Sequence, residues 1–189
     1  MSAAPAAHSA RTAATREKLY VAAISLFGKH GIDQVTVDEI ASVAGVAKGT
    51  VYYNFRGKDA LVGALIEDRI ARLVTQVNEA PGNDDPIVEL VDVLLEFVQN
   101  ETEFVQLIVG ELWRPSSRWR EQLFAIREQV ITAIERLLAK GGWQPRTPYR
   151  ATAGGVLVTS LGIGLDWRVY SPERPRAAVA EQLRLLFDH

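Results

Sequence analysis

The chain has 189 residues, 48% hydrophobic and 23% charged, with a net charge of −2, the composition of a soluble globular protein long enough for one or two domains. It contains no cysteine, which excludes disulfides and thiolate metal sites, and its longest uncharged run in the second half, Ala151 to Leu165, spans 15 residues, short of the ~20 that a membrane helix needs. The opening MSAAPAAHSARTAATREK has no apolar h-region beyond small alanines, so it does not read as a secretory signal, and a cytoplasmic protein with no membrane association is expected.

Residues 1–11 are alanine-rich and carry no large apolar side chain after Met1, which reads as a disordered arm. Arg11 and Arg16 are placed to reach phosphates or a minor groove; an inert, solvated tail is the other reading. A first helix is expected from near Thr12 to His30, with Leu19, Ala22, Ala23, Leu26 and Phe27 as its buried stripe. Gly31 ends it, with Ile32 packing back over the last turn.

Two short helices joined by a tight turn follow. Thr36 and Glu39 form a capping box at the first. Val37, Ile40, Ala41 and Ala44 recur at helical spacing, Gly45 suits a left-handed ending, and Val46 is the buried hydrophobe of the turn. The second helix carries Lys48, Gly49, Thr50, Tyr52, Tyr53 and Asn54 around a thin anchor of Val51 and Phe55. So narrow an anchor leaves most of the helix for a nucleic-acid groove. Lys48 and Lys58 offer charge to phosphates, the hydroxyls and rings suit a backbone or a thymine methyl, and Gly49 permits close approach. An ordinary amphipathic helix pair with surface tyrosines is the alternative.

The run AGVAKGTVYYNFRGKDAL, Ala44 to Leu61, resembles the DNA-binding signature of TetR-family transcriptional regulators, and the likeness extends from about Thr15 to about Arg72. The resemblance implies that Thr36, Lys48, Gly49, Thr50, Tyr52, Tyr53 and Lys58 face DNA, with Asn54 in the same group. Three places depart from the usual pattern: Ala47 stands where Ser often caps the recognition helix, Asn54 where His is frequent, and Arg56-Gly57 where Pro-Ser is frequent. A lost Ser cap costs roughly 1 kcal/mol of helix stability, which weakens the site without abolishing it.

Charge is unevenly shared. Met1 to Lys58 holds seven lysines and arginines against four acids, and the remainder fourteen against nineteen. A basic first third on an acidic body suits a DNA-binding head.

Beyond Gly57 a long helix is expected to about Glu79, with Leu61, Leu65, Ile66, Ile70, Leu73 and Val77 inward. Its N-terminus beside Lys58 is a ready phosphate site, and its continuation into the body makes it a lever. PGNDDP, Pro81 to Pro86, is a turn. Helices are then expected over 87–99, over 102–113 with Asn100 and Glu103 as a cap, over 117–140, over 150–170 and from about Arg174 to Asp188, with 143–148 a loop. The fold class is therefore all-α, with about nine helices. It divides into an arm (1–11), a helix-turn-helix DNA-binding domain (12–72, motif 36–55) and a helical ligand-binding and dimerisation domain (73–189).

Ala151 to Leu165 is apolar nearly all round and rich in glycine, so it asks for cover on every side. A second copy of the chain is the expected cover, as TetR-family resemblance also implies through the last two helices; burial inside a monomer is the alternative. Phe97, Phe104, Ile108, Glu111, Trp113, Trp119, Phe124, Arg127 and Trp167 are candidates to line a ligand pocket, and each also reads as plain core or, for the two charges, a solvated helix edge. No HExxH, nucleophile elbow or P-loop occurs, GVAKGT lacks the P-loop spacing, and the three histidines at 8, 30 and 189 form no local cluster.

The expected protein is no enzyme and needs no cofactor. It is a homodimeric repressor released from a palindromic double-stranded operator by an unknown small apolar or aromatic inducer. The alternative is a TetR-like activator or a ligand-independent DNA-binding protein.

Overall fold

The computed structural model describes residues 4–82, 85–142, 144 and 147–187. Among them are nine helices and no strand: α1 (Ala4–His30), α2 (Val37–Ala44), α3 (Lys48–Phe55), α4 (Lys58–Glu79), α5 (Pro86–Asn100), α6 (Thr102–Leu112), α7 (Arg120–Lys140), α8 (Tyr149–Tyr170) and α9 (Arg176–Phe187). They form two compact units, one ending at Ile66 and one beginning at Glu67. Helix α4 continues unbroken through that division.

The head unit closes on α1. Leu19, Ala22, Ala23 and Phe27 are buried as the apolar spacing requires, joined by Tyr20 and Ile24, while Leu26 is half-buried. Ile32 and Val35 from the following loop, Ile40 and Ala41 of α2, Val51 and Phe55 of α3, and Leu61, Val62 and Leu65 of α4 complete this core. Val46, expected to be buried, is half-buried.

The start of α1 differs from expectation. The segment 1–11 reads as an arm by its low hydrophobicity, yet α1 is helical from Ala4; residues 1–3 lie outside the described region. Alanine is the strongest helix former, and an alanine-rich stretch needs no apolar stripe where it extends a helix that is already packed.

In the body unit α5 packs against α8 and α9, and α7 against α8. Asp85 caps α5, its Oδ1 accepting from the N–H groups of Ile87 (3.1 Å) and Val88 (3.2 Å). Gly82, at φ +66°, donates to Glu89 Oε2 at 2.7 Å. Close approach of α5 and α8 is set by Gly164, where an added Cβ would lie 3.1 Å from both methyls of Val98.

Two helix starts move. Asn100 is the last residue of α5 and gives α6 no cap; α6 begins without a side-chain cap, and Thr102 Oγ1 instead donates back to Val98 O at 2.7 Å. Ser117 Oγ accepts from Trp119 N–H at 3.2 Å, but turns hold 117–119 and α7 starts only at Arg120. Of the expected turns, Asn83, Asp84, Trp143, Pro145 and Arg146 lie outside the described residues, as does Asp188.

Helix α8 has two unlike faces. Ala153, Val156, Leu157, Ser160, Gly164 and Trp167 are buried within the unit, whereas Ala151, Gly155, Val158, Gly162 and Val169 are exposed. No helix among the described residues is long and apolar enough to cross a membrane.

Candidate nucleic-acid interface and body cavity

Local chemistry fixes the turn between α2 and α3. Thr36 takes an extended backbone, its hydroxyl accepts from Glu39 N–H at 3.3 Å, and Glu39 Oε2 accepts from Thr36 N–H at 2.7 Å, closing the capping box. Those bonds hold the Glu39 carboxyl below its ordinary pKa, the backbone N–H of Thr36 contributing most. Gly45 ends α2 at φ +67°, and Val46 N–H reaches back to Ala41 O at 3.0 Å, the long bond of a Schellman ending.

Helix α3 starts at Lys48 with Ala47 in the cap position and no side-chain cap. It ends at Arg56, the one non-glycine residue of positive φ (+55°) among those described, followed by Gly57 at φ +140°. A side chain at 57 would be strained in that conformation. Only Val51 and Phe55 of α3 are buried. Phe55 meets the ring of Tyr20 at 5.4 Å, and the Arg16 guanidinium sits 4.7 Å from the Phe55 centroid while donating to Tyr20 Oη at 2.9 Å. Arg16 is thus part of the head's packing, with its charge stacked on the recognition helix's anchor.

The remaining positions of α3 turn outward. Tyr53 is 76% and Tyr52 47% exposed, and nothing lies within 4 Å of a Cβ built on Gly49. Thr50 is half-buried, its carbonyl accepting from Asn54 Nδ2 at 2.8 Å. Lys48 Nζ pairs with Asp38 of α2 at 2.8 Å. This hydrogen bond, and then the carboxylate's field, raise the Lys48 pKa. Lys58 is engaged differently. Its ammonium donates to the carbonyl oxygens of Ile32 (2.9 Å), Asp33 (3.1 Å) and Val35 (2.8 Å). An ammonium has three N–H donors, and here all three hold the loop that leads into α2.

The body contains a partly open apolar cleft with a cavity volume of about 80 Å³. Ile70 and Leu73 of α4 and Phe97 of α5 form one side; Phe104, Val105, Ile108, Val109 and Leu112 of α6 form another. Leu123, Ile126, Arg127 and Val130 of α7, with Leu157 and Leu161 of α8, close it. Four expected pocket residues, Phe97, Phe104, Ile108 and Arg127, are therefore brought together.

The other five lie elsewhere. Glu111 is buried and paired with Arg114 at 3.1 Å. Trp113 is 74% and Phe124 47% exposed, Phe124 under the Arg120 guanidinium. Trp119 is half-buried beside the turn before α7. Trp167 is core, its indole N–H donating to Arg174 O at 2.9 Å.

Residues 19–65, Leu19 to the end of the head core, match the family model of bacterial regulatory proteins of the tetR family. The head is a TetR-family DNA-binding domain. Among its relatives, YvdT of Bacillus subtilis (strain 168), an HTH-type transcriptional regulator, is 29% identical over 86 residues, a match covering 46% of this chain and 44% of YvdT. Among solved structures, the fatty acid degradation regulator FadR of Bacillus halodurans superposes with a TM-score of 0.76 at 21% identity, covering 92% of this chain and 94% of that one. FadR of Bacillus subtilis, solved in complex with stearoyl-CoA, gives 0.71 at 17% identity, covering 91% and 97%. The nine-helix, all-α architecture is the TetR fold.

Within this TetR-family head, neither the pairing of Asp38 nor the bracing role of Lys58 is legible in the sequence. Neither carries a local signal: Asp38 and Lys48 stand ten residues apart, and Lys58 reaches back 23 to 26 residues. In the body, Ile108 was expected at the cavity but the rest of the aliphatic wall was not. Val105, Ile108, Val109 and Leu112 do recur at helical spacing, but such a stripe looks the same whether it borders a cavity or solid core.

Proposed function

We propose that this transcriptional regulator is a homodimeric repressor. It binds a near-palindromic DNA operator through α3 and the N-terminus of α2, and releases it when an apolar ligand fills the body cavity. The observation that carries this reading is α4. One uninterrupted helix begins at Lys58, which braces the loop before the motif, and continues to Ile70 and Leu73, which form part of the cavity wall. A ligand that prefers one position of those two side chains thereby prefers one position of the helix, and differential affinity is what shifts an equilibrium.

At the DNA, Lys48, Thr36 and the two tyrosines meet backbone phosphates, while Gly49, Thr50 and Asn54 lie nearest the base edges. Dimerisation uses the open face of α8 together with α9, where Val158, Val169, Leu185 and Leu186 are each about half exposed. Gly155 and Gly162 on that face have nothing within 4 Å of a built Cβ and admit a second helix closely. The cavity wall is mostly aliphatic and suits a flexible hydrocarbon chain better than a flat ring. Fatty-acid regulators of the same fold, one holding stearoyl-CoA, support an acyl ligand. Such a regulator acts in the cytoplasm, where the chromosome is.

The test is selection from a random duplex library, followed by footprinting and transcription from a promoter overlapping the selected site. An inverted repeat bound by two chains, repression by the protein and recovery on adding an acyl ligand are expected. Selection of no sequence would overturn the reading, and stimulated transcription would make the protein an activator.

A further inference from the structure

We propose that Arg127 adapts the body cavity to an amphipathic ligand: an apolar chain ending in a single anionic group, carboxylate or phosphate. This rests on the ligand-cavity reading above and adds the head group to it. Thirteen of the fourteen residues around the cavity are apolar and the fourteenth is Arg127. A wall of hydrocarbon alone would serve an uncharged chain. The surface that the cavity presents is wholly apolar, so Arg127 lines it with its aliphatic stem and carries its guanidinium to the rim, where an anion can meet it.

Arg127 is 37% exposed, which places its charge at the cavity's edge and leaves the depth to the chain. The guanidinium spans from α7 to α8: a Cβ built on Gly154 would lie 3.5 Å from Nη2, ordinary contact with bare backbone. Its Nη1 donates to Glu128 Oε1 at 3.1 Å. That pair is half-exposed and therefore weak. Glu128 also holds Arg150, which in turn faces Glu135 at 3.7 Å. A ligand anion can accordingly take Arg127 while Glu128 keeps a cationic partner. The planar guanidinium offers two parallel N–H bonds that match a carboxylate or phosphate.

Dodecanoate, dodecyl phosphate and dodecan-1-ol share one chain and differ only in the head group, so calorimetric titration into the full-length protein separates head from chain. The wild type should bind both anions at least tenfold more tightly than the alcohol, and the tighter of the two identifies the head group. Arg127→Met should bring the anions down to the alcohol's affinity and leave the alcohol unchanged, with Arg127→Lys restoring part of the loss. Should Arg127→Met melt early, Glu128→Gln serves instead: freeing Arg127 should tighten the anions severalfold and not the alcohol. Equal binding of all three by the wild type, or a loss in Arg127→Met that falls on all three alike, would overturn the head-group proposal and leave the cavity standing. No binding of any of the three would sink both.

Discussion

The ammonium of Lys58, the first residue of α4, lies 2.8 Å from the carbonyl oxygen of Val35, the residue before the α2 cap. With the bonds to Ile32 and Asp33 it ties the start of the long helix to the loop that positions the helix-turn-helix. A charged donor to a backbone carbonyl is among the stronger hydrogen bonds.

Lys58→Met keeps the aliphatic stem and removes the three bonds. It should destabilise the protein by about 1–3 kcal/mol, since the freed carbonyls are partly exposed and can rehydrate. Thermal melting reads that loss. If the ammonium is wholly used as a brace, the salt slope of DNA binding stays unchanged. A slope flatter by about 0.9 would instead mark a phosphate contact that the brace gives up on binding.

Asp38 is positioned to restrain Lys48. The pair is exposed on both sides, so breaking it should change melting little. Asp38→Asn should strengthen binding to all duplexes and leave sequence preference alone, because it frees a cation for phosphate and removes a like charge from the DNA-facing surface. Titrations on specific and random duplexes check this. Weaker binding would mean that Asp38 orients Lys48 productively.

The capping box gives the head an acid-sensitive element. The Glu39 pKa lies below its ordinary 4.5 in the folded state, so its contribution is present above that value and is lost as pH falls through the folded pKa. Glu39→Gln removes the ionised acceptor of the Thr36 N–H and should destabilise the head at neutral pH. In a series of acid melts, wild type and Glu39→Gln should converge as the carboxyl protonates. Parallel curves down to the most acidic pH would contradict the role given to Glu39.

The open face of α8 makes a prediction of its own. Val158 is 53% exposed in the single chain, so Val158→Glu should leave the fold intact while a dimer burying that face falls apart. Sedimentation should show a monomer with native helical content and sharply weaker operator binding, since each half-site is then bound alone. An unchanged dimer would move the interface elsewhere.

The legible parts of the molecule were those with local causes. Thr36 and Glu39 are three residues apart and Gly45 closes the same helix, so the spacing alone announced α2. The thin anchor of α3 was visible because only Val51 and Phe55 fall in phase. Leu61, Leu65, Ile66, Ile70, Leu73 and Val77 are all buried as their periodicity demanded. What stayed hidden depended on contacts between distant segments. The brace at Lys58 exists only once the α1–α2 loop folds back on it. The alanines near the N-terminus show no hydrophobic pattern, and the helix there rests on propensity instead. Pocket candidates leaned on tryptophan and phenylalanine, whereas Trp113 and Phe124 face solvent and Trp167 fills core.

The coupling proposed for α4 is tested most directly by a linkage measurement: the affinity of dodecanoate for the free protein and for the protein saturated with operator. Weakening operator binding ~100-fold requires about 2.7 kcal/mol of coupling, within the usual allosteric range. Linkage then demands that the operator weaken dodecanoate binding by that same factor. The two factors should agree and exceed one. Equal dodecanoate affinities with and without operator would contradict it, because a ligand that does not sense the DNA-bound state cannot release it.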